Sequence, residues 1–268
     1  MSEQIDQNYL LREQYKDSSN FSKRASLHVR FATNKYGWHR WVFDHFQLTP
    51  GNSVLELGCG PGWLWAGNRQ RIPADWQITL TDFSPGMVQE ATQNLGTDGF
   101  YFQVADAMAL PFAAASFDAV IANHMLYHVP DLTQALTEIQ RVLKPGGHFY
   151  ATTIGSQHMH EMYVLLRKLW PGPWLKKDGM GQRFHFNLEN GRDALAPYFS
   201  TITRDLYENP LLVTEARPLA DFLFSVRIGV NFTEEQKAAV VDLFRQEIDA
   251  HGPIHMTTAA GIFIARKG

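Results

Sequence analysis

One stretch constrains what this chain can fold into more than any other: Val54-Leu55-Glu56-Leu57-Gly58-Cys59-Gly60-Pro61-Gly62. A short apolar run breaks into glycines, and Trp63-Leu64-Trp65-Ala66 can then open a helix. A buried strand, a glycine turn and a helix N-terminus are how an open parallel sheet makes a nucleotide site. Glycine lets backbone come close to a ligand where a Cβ would clash. Taken alone the pattern is weak, because glycine turns also serve simply to turn a chain.

The residues that follow give it weight. Gln77 to Leu80 reads as a second strand, and Asp82 stands at its carboxyl end, where an acidic side chain can accept from both hydroxyls of a ribose. Ser84 is a good N-cap and Pro85 a good first helical residue, with Met87, Val88, Ala91 and Leu95 forming the apolar stripe. Phe100 to Val104 is a third strand, and Asp106 follows it in a place to accept from an adenine amino group. Phe117 to Ala122 is a fourth strand. A helix after Asp131 runs to Lys144-Pro145-Gly146-Gly147, and His148 to Ile154 is a fifth strand. Strand and helix alternate, the pattern of a doubly wound sheet whose crevice lies beyond the carboxyl ends of the strands.

Before this core, residues 1–48 read as helical, with Phe21, Leu27, His28 and Phe31 on one face and Trp38, Trp41, Val42 and Phe46 on another. Such helices either lie over the site as a lid or cover one sheet face. After the core, Gln157 to Trp170 and 188–199 read as helices, and 200–207 as a strand. Leu211 to Val230 is ambiguous, with a helix from Pro218. Thr233-Glu234-Glu235-Gln236 has the form of a capping box for a helix ending near Gly252, and Ala259 to Ala265 is a last strand. The expected division is a lid at 1–48, a nucleotide-binding core at 49–155, a helical insertion at 156–190 forming an acceptor pocket, and the rest of the core at 191–268.

Composition limits the partners. The net charge is −3 with both signs dispersed, so no basic arm for nucleic acid or cationic membrane helix stands out. Met1 to Asn8 is polar and lacks the apolar core of a signal peptide, which gives the expectation of a cytoplasmic protein, monomeric or homodimeric. Cys59 is the single cysteine, so no disulfide forms within the chain and no thiolate metal cluster is expected.

The glycine stretch, Thr81-Asp82-Phe83-Ser84, Ala105-Asp106-Ala107, the segment from Asn123 to Asp131 and Val142-Leu143-Lys144-Pro145-Gly146-Gly147 together resemble the class I S-adenosylmethionine-dependent methyltransferases. The branch they look most like includes ubiquinone and menaquinone methyltransferases. The likeness is strong over 50–155 and weak over the final strand pair. It implies an α/β fold, Rossmann-like, with a seven-stranded, mostly parallel sheet whose last strand is antiparallel. It also implies S-adenosyl-L-methionine as cofactor and a small-molecule methyl acceptor. By resemblance, Gly58, Gly60 and Gly62 pass under the methionine part, and Glu56 helps hold its amino group. Asp82 holds the ribose hydroxyls, and Phe83 and Met87 lie against the adenine. Asp106 and the Ala107 backbone take the adenine edge, and Asn123 lines the methionine end.

Two rivals stay open. An NAD-dependent dehydrogenase spaces its glycines G-x-G-x-x-G, whereas here they fall G-x-G-x-G with Trp63 where a pyrophosphate needs a close helix. A non-catalytic module could keep the cofactor site and act as a partner or sensor. Absent residues narrow the chemistry. Asn123-His124-Met125-Leu126 is not the Asn-Pro-Pro-Tyr of amino methylation of DNA bases or glutamine, Cys59 is committed to the turn rather than to cytosine chemistry, and arsenite methylation needs several thiols. His124 and His128 are candidate bases, since imidazole titrates near working pH, and at a spacing of four they would share a helix face. That spacing also suits a metal pair, but no third ligand is evident. His158, His160 and Trp174 are candidate substrate contacts, and Tyr15 a candidate lid residue over the cofactor. The competing readings are a helix-start hydrogen bond for His128, a solvated helix start for His158 and His160, and plain core for Trp174.

Overall fold

The computed structural model describes residues 19–170, 185–226 and 232–268. In chain order the first elements are α1 (Ser19–Phe31), α2 (Trp38–Asp44), β1 (Ser53–Leu57), α3 (Trp63–Ala66), β2 (Gln77–Asp82) and α4 (Pro85–Leu95). Then come β3 (Phe100–Val104), β4 (Phe117–Asn123), α5 (Leu132–Val142), β5 (Leu143–Ile154) and α6 (His160–Leu169). The chain continues with α7 (Gly191–Leu195), β6 (Thr201–Leu206), β7 (Leu211–Val213), α8 (Ala216–Ser225), α9 (Glu234–His251), β8 (Ile254–Met256) and β9 (Ala260–Arg266).

Seven strands form one sheet in the order β3-β2-β1-β4-β5-β9-β6, and β9 runs antiparallel to both neighbours. The expected fold class is the one observed. The order reverses between β1 and β4, so the crevice opens at the carboxyl ends of those strands, beside Gly58 and Asn123. Helices cover both faces, which is why the inner strands are apolar on both sides. Leu55, Val120 and Phe149 point to one face, packed by Leu136 and Ile139 of α5. Val54, Ile121 and Tyr150 point to the other, packed by Phe43 of α2, Trp65 of α3 and Ala91 of α4.

A third apolar cluster stands apart from both. It joins Leu27 and Phe31 of α1, Leu166 of α6, Leu219 and Leu223 of α8, Val240 and Phe244 of α9, and the β7–β8 pair. This cluster draws from both sides of the boundaries expected at 48, 155 and 190. Several element expectations are corrected here. The helix expected over 188–199 is only Gly191–Leu195, and the one expected from Gln157 begins at His160 after a turn. The ambiguous stretch resolves as β7 and then α8, with Pro218 in the first turn, where its missing N–H breaks no helical bond. The Thr233–Gln236 capping box is present in both directions, and α9 ends at Gly252 with φ +79°. No helix among the described residues is long and apolar enough to cross a membrane.

Candidate active site

The site is assembled at the strand ends. The Cys59 N–H donates to the Thr81 carbonyl at 2.9 Å, and the Thr81 hydroxyl donates to the Glu56 carbonyl at 2.9 Å, so β1 and β2 stay joined past their last pair. Asp82 then fastens the glycine turn. Its Oδ2 accepts the Gly60 N–H at 2.9 Å and its Oδ1 the Ser84 N–H at 2.8 Å. Burial raises the Asp82 pKa and these amides oppose the rise. Each carboxylate oxygen keeps a lone pair for a ligand hydroxyl. Ser84 caps α4 by accepting the Met87 N–H.

The glycines divide their work. Gly58 has φ +63° and a Cβ there would meet Met125 Cβ at 2.7 Å, while Gly60 has φ +54° and open space around it. Both line a single cavity of about 680 Å³. Gly62 does not line it. A Cβ at Gly62 would strike Leu95 Cδ1 at 2.7 Å, so this glycine lets α4 approach α3.

Glu56, Asp82, Phe83, Met87, Asp106, Ala107, Asn123, His124, His128 and His158 all line the same cavity. The structure therefore brings together most of the residues that the sequence singled out. His160 is not among the lining residues, and Tyr15 and Trp174 lie outside the described residues. Glu56 is 1% exposed and accepts from the Trp65 indole at 2.6 Å; burial pushes its pKa up to about 8, against the pull of that hydrogen bond. Carboxylates at the ends of β1, β2 and β3 make a set of acceptors suited to a ligand rich in O–H and N–H donors.

Beyond β4 the chain does not enter a helix. His124 sits at φ +54°, unusual for a residue with a Cβ, and His128 lies in a short 3₁₀ turn over Leu126–His128. The expected shared helix face is therefore absent, although both rings reach the cavity. A hydrogen-bond chain holds this bend. The His124 N–H donates to Thr152 Oγ1 at 2.9 Å, Thr152 donates to Asn123 Oδ1 at 2.7 Å, and Trp38 Nε1–H donates to the same oxygen at 3.3 Å. The Trp38 ring lies 4.8 Å from His124. Burial lowers the pKa of both His124 and His128 to about 3. The reading of these histidines as pH-matched bases rested on imidazole's ordinary value, and burial removes that match. Among the described residues no cluster of three or more ligands could hold a metal ion.

Trp38, Thr152 and Tyr207 were not singled out as site residues. Trp38 reads in sequence as one more apolar residue of a helix face, and Thr152 as a polar residue inside a strand; only their tertiary partners distinguish them.

A family model described as a methyltransferase domain matches residues 55–151. A malonyl-[acyl-carrier protein] O-methyltransferase of Enterobacter lignolyticus is 30% identical over 193 residues, 69% of this chain and 68% of that one. This chain belongs to the class I S-adenosylmethionine-dependent methyltransferases. Another relative in the family, a ubiquinone/menaquinone biosynthesis C-methyltransferase of Desulfotalea psychrophila, is 38% identical over 41% of this chain and 44% of its own length. The match thus spans less than half the length of that relative. Among solved methyltransferases, a Haemonchus contortus phosphoethanolamine N-methyltransferase 2 in complex with S-adenosyl-L-methionine superposes with a TM-score of 0.59 at 20% identity, covering 97% of this chain and 59% of that one. The YcgJ protein of Bacillus subtilis gives 0.58 at 18% identity, covering 85% and 97%. These two likenesses show the shared fold.

Proposed function

We propose that this chain is an active methyltransferase that acts on a small, partly apolar molecule. The observation that carries the reading is the ring of acceptors Glu56, Asp82 and Asp106 around one cavity whose floor is opened by Gly58 and Gly60. Those residues fit S-adenosylmethionine. Asp82 would hold the ribose hydroxyls, Asp106 and the Ala107 backbone the adenine edge, and Phe83 and Met87 its face. Glu56 would hold the amino group and Asn123 would line the methionine end. A cavity of about 680 Å³ is in the range of small-molecule sites, and Trp38, Ile154 and Phe222 give it apolar wall.

Bound S-adenosylmethionine supplies an electrophilic methyl group for in-line displacement. The chain's own residues must align the nucleophile and exclude water. His124, fixed by Thr152 and packed on Trp38, is placed to accept a hydrogen bond from a nucleophile's O–H or N–H. With a pKa near 3 it orients that proton rather than storing it. Alignment by itself supplies several kcal/mol, so a strong base is not required.

The test is a calorimetric titration of S-adenosylhomocysteine into the wild type and Asp82→Ala. Two hydrogen bonds to a carboxylate, at roughly 1.5–3 kcal/mol each, make a loss of tenfold or more the expected result. Absence of wild-type binding would end this reading. Binding without turnover across a panel of small-molecule acceptors would favour a non-catalytic partner or sensor.

A further inference from the structure

The charges that line the cavity fall into two groups. The carboxylates of Glu56, Asp82 and Asp106 stand at or just beyond the ends of β1, β2 and β3, on the cofactor side. The cations of Arg24, Lys35 and Arg40 come from α1, the segment after it and α2. Among the described residues, no carboxylate from those elements lines the cavity. The histidines on this second side add no charge at pH 7. Burial lowers the pKa of His28 and His39 to about 4, of His124 and His128 to about 3, and of His158 well below the ordinary value. The acceptor side is therefore net positive, and its charge is that of the three cations.

The three cations are not equivalent. Lys35 and Arg40 are exposed, whereas Arg24 is half-buried, where solvent and salt screen a charge less. Arg24 is also fixed in place, since its Nη1 donates to the carbonyl of Ser225, the last residue of α8, at 2.9 Å. Phe222 and Val226 stand on either side of Ser225 in the chain and give the cavity apolar wall there. His28, one turn further along α1, stacks on His158 at 5.7 Å and meets Phe222 edge-on at 5.9 Å. The same order along α1 shows in the electrostatics. At His128 the Arg24 charge adds to burial in lowering the pKa, while at His124 it is the rings of His28 and His39 that add to burial.

We propose that the acceptor side selects a methyl acceptor with a carboxylate on an apolar body, the carboxylate paired with the Arg24 guanidinium and separate from the atom that is methylated. The inference rests on the methyltransferase reading above and narrows its substrate class. A guanidinium presents a planar fork of N–H donors that matches a carboxylate in shape and charge. One such cation suits a monoanion. A phosphate dianion would call on Lys35 or Arg40 as well, and both lie beyond the far end of α1 from Arg24. An amine would meet positive charge and no carboxylate on this side, and an alcohol forgoes the charge pairing. An anion seated at Arg24 lies one turn of α1 away from the ring that acts on His124, so another group of the same molecule is the one that reaches His124.

Four probes that share one alkyl chain test this: octanoate, octanol, octylamine and octyl phosphate. Each is titrated by ligand-observed NMR into the full chain saturated with S-adenosylhomocysteine at neutral pH. Octanoate should bind at least about fivefold more tightly than octanol, and octylamine and octyl phosphate should both bind more weakly than octanoate. Arg24→Gln should erase the advantage of octanoate over octanol and leave octanol and S-adenosylhomocysteine within about twofold of wild type. Lys35→Gln should keep the advantage, which separates a seat at Arg24 from a general positive field. Incubation with S-adenosylmethionine should give no methyl octanoate. Equal binding of octanoate and octanol, tighter binding of octylamine or octyl phosphate, an advantage that survives Arg24→Gln or is lost in Lys35→Gln, formation of methyl octanoate, or no binding of any probe overturns the proposal. The wild-type comparison and Lys35→Gln stand even if Arg24→Gln does not fold. Failure of S-adenosylhomocysteine to bind counts against the methyltransferase reading instead, and the four probes are then compared without it.

Discussion

The Asp82 carboxylate and the Gly60 amide are joined at 2.9 Å, and the second oxygen of the same carboxylate holds the Ser84 amide at 2.8 Å. One side chain thus sets both the glycine turn and the start of α4. Asp82→Asn keeps the shape but points an amide NH₂ at one of the two backbone donors. A buried donor left unmet costs about 1–3 kcal/mol. The expected outcome is a melting temperature lowered by several degrees in calorimetry without ligand. An unchanged value would show that the carboxylate does not brace the turn.

Gly58 and Gly60 both lie in the left-handed region, yet alanine should affect them differently. The backbone strain is common to both, about 1–2 kcal/mol. Only Gly58→Ala must also displace Met125, whose Cβ would lie 2.7 Å from the new methyl, whereas Gly60→Ala meets nothing within 4 Å. Gly58→Ala should therefore have the lower urea midpoint, by an additional ~1–3 kcal/mol of overpacking. Gly60→Ala should fold and lose S-adenosylhomocysteine affinity, because its methyl projects into the cavity. Equal urea midpoints would contradict the assignment of Met125 as the close neighbour.

Acid should unfold this protein early. Burial lowers the pKa of His28 and His39 to about 4, of His124 and His128 to about 3, and of His158 well below the ordinary value. The unfolded chain takes up these protons near pH 6.5 and the folded chain does not. Stability is therefore complete above that pH and falls as pH drops through it, by at most ~1.4 kcal/mol per pH unit for each ring. Glu56 acts in the opposite direction: its folded pKa is raised to about 8, so its protonated form favours folding as pH falls from 8 toward 4.5. Asp82, whose pKa burial also raises, acts in the same direction as Glu56. Five lowered rings oppose these two carboxyls, so the net slope below pH 6.5 is destabilising. Urea unfolding at pH 7, 6 and 5 should show a steep fall, and a flat profile would mean that these rings are solvated in the folded state.

The sheet and the cofactor side of the site were legible because their signals are local. A glycine turn follows an apolar strand, and Asp82 precedes a capping Ser84 and a first-turn Pro85, so each element declares its own ends. The acceptor side was not legible in the same way. Strands β7 and β8 are three residues each and pair across a long separation, so no local pattern announces them. α1 shows an apolar stripe, but nothing in a stripe says that it will pack on α8 rather than on the sheet. The four-residue spacing of His124 and His128 looks helical, yet Thr152 captures the His124 amide from the next strand and turns the chain instead. Tyr207 joins the site only through its tertiary ring contacts with Trp38 and Trp41.

Glu56 offers a direct readout of how the cofactor is held. It is 1% exposed, and burial keeps it protonated at pH 7 with a pKa of about 8, even though the Trp65 indole donates to it. An ammonium group set against that side chain favours the charged carboxylate and pulls the pKa down. Binding of S-adenosylhomocysteine at pH 7 should then release up to about one proton. Calorimetry in buffers of low and high ionisation enthalpy measures that number directly. Glu56→Gln should bind more weakly and release none. Proton release that persists in Glu56→Gln would place the ammonium against another group, with Asp82 the next to examine, because its pKa is also raised by burial.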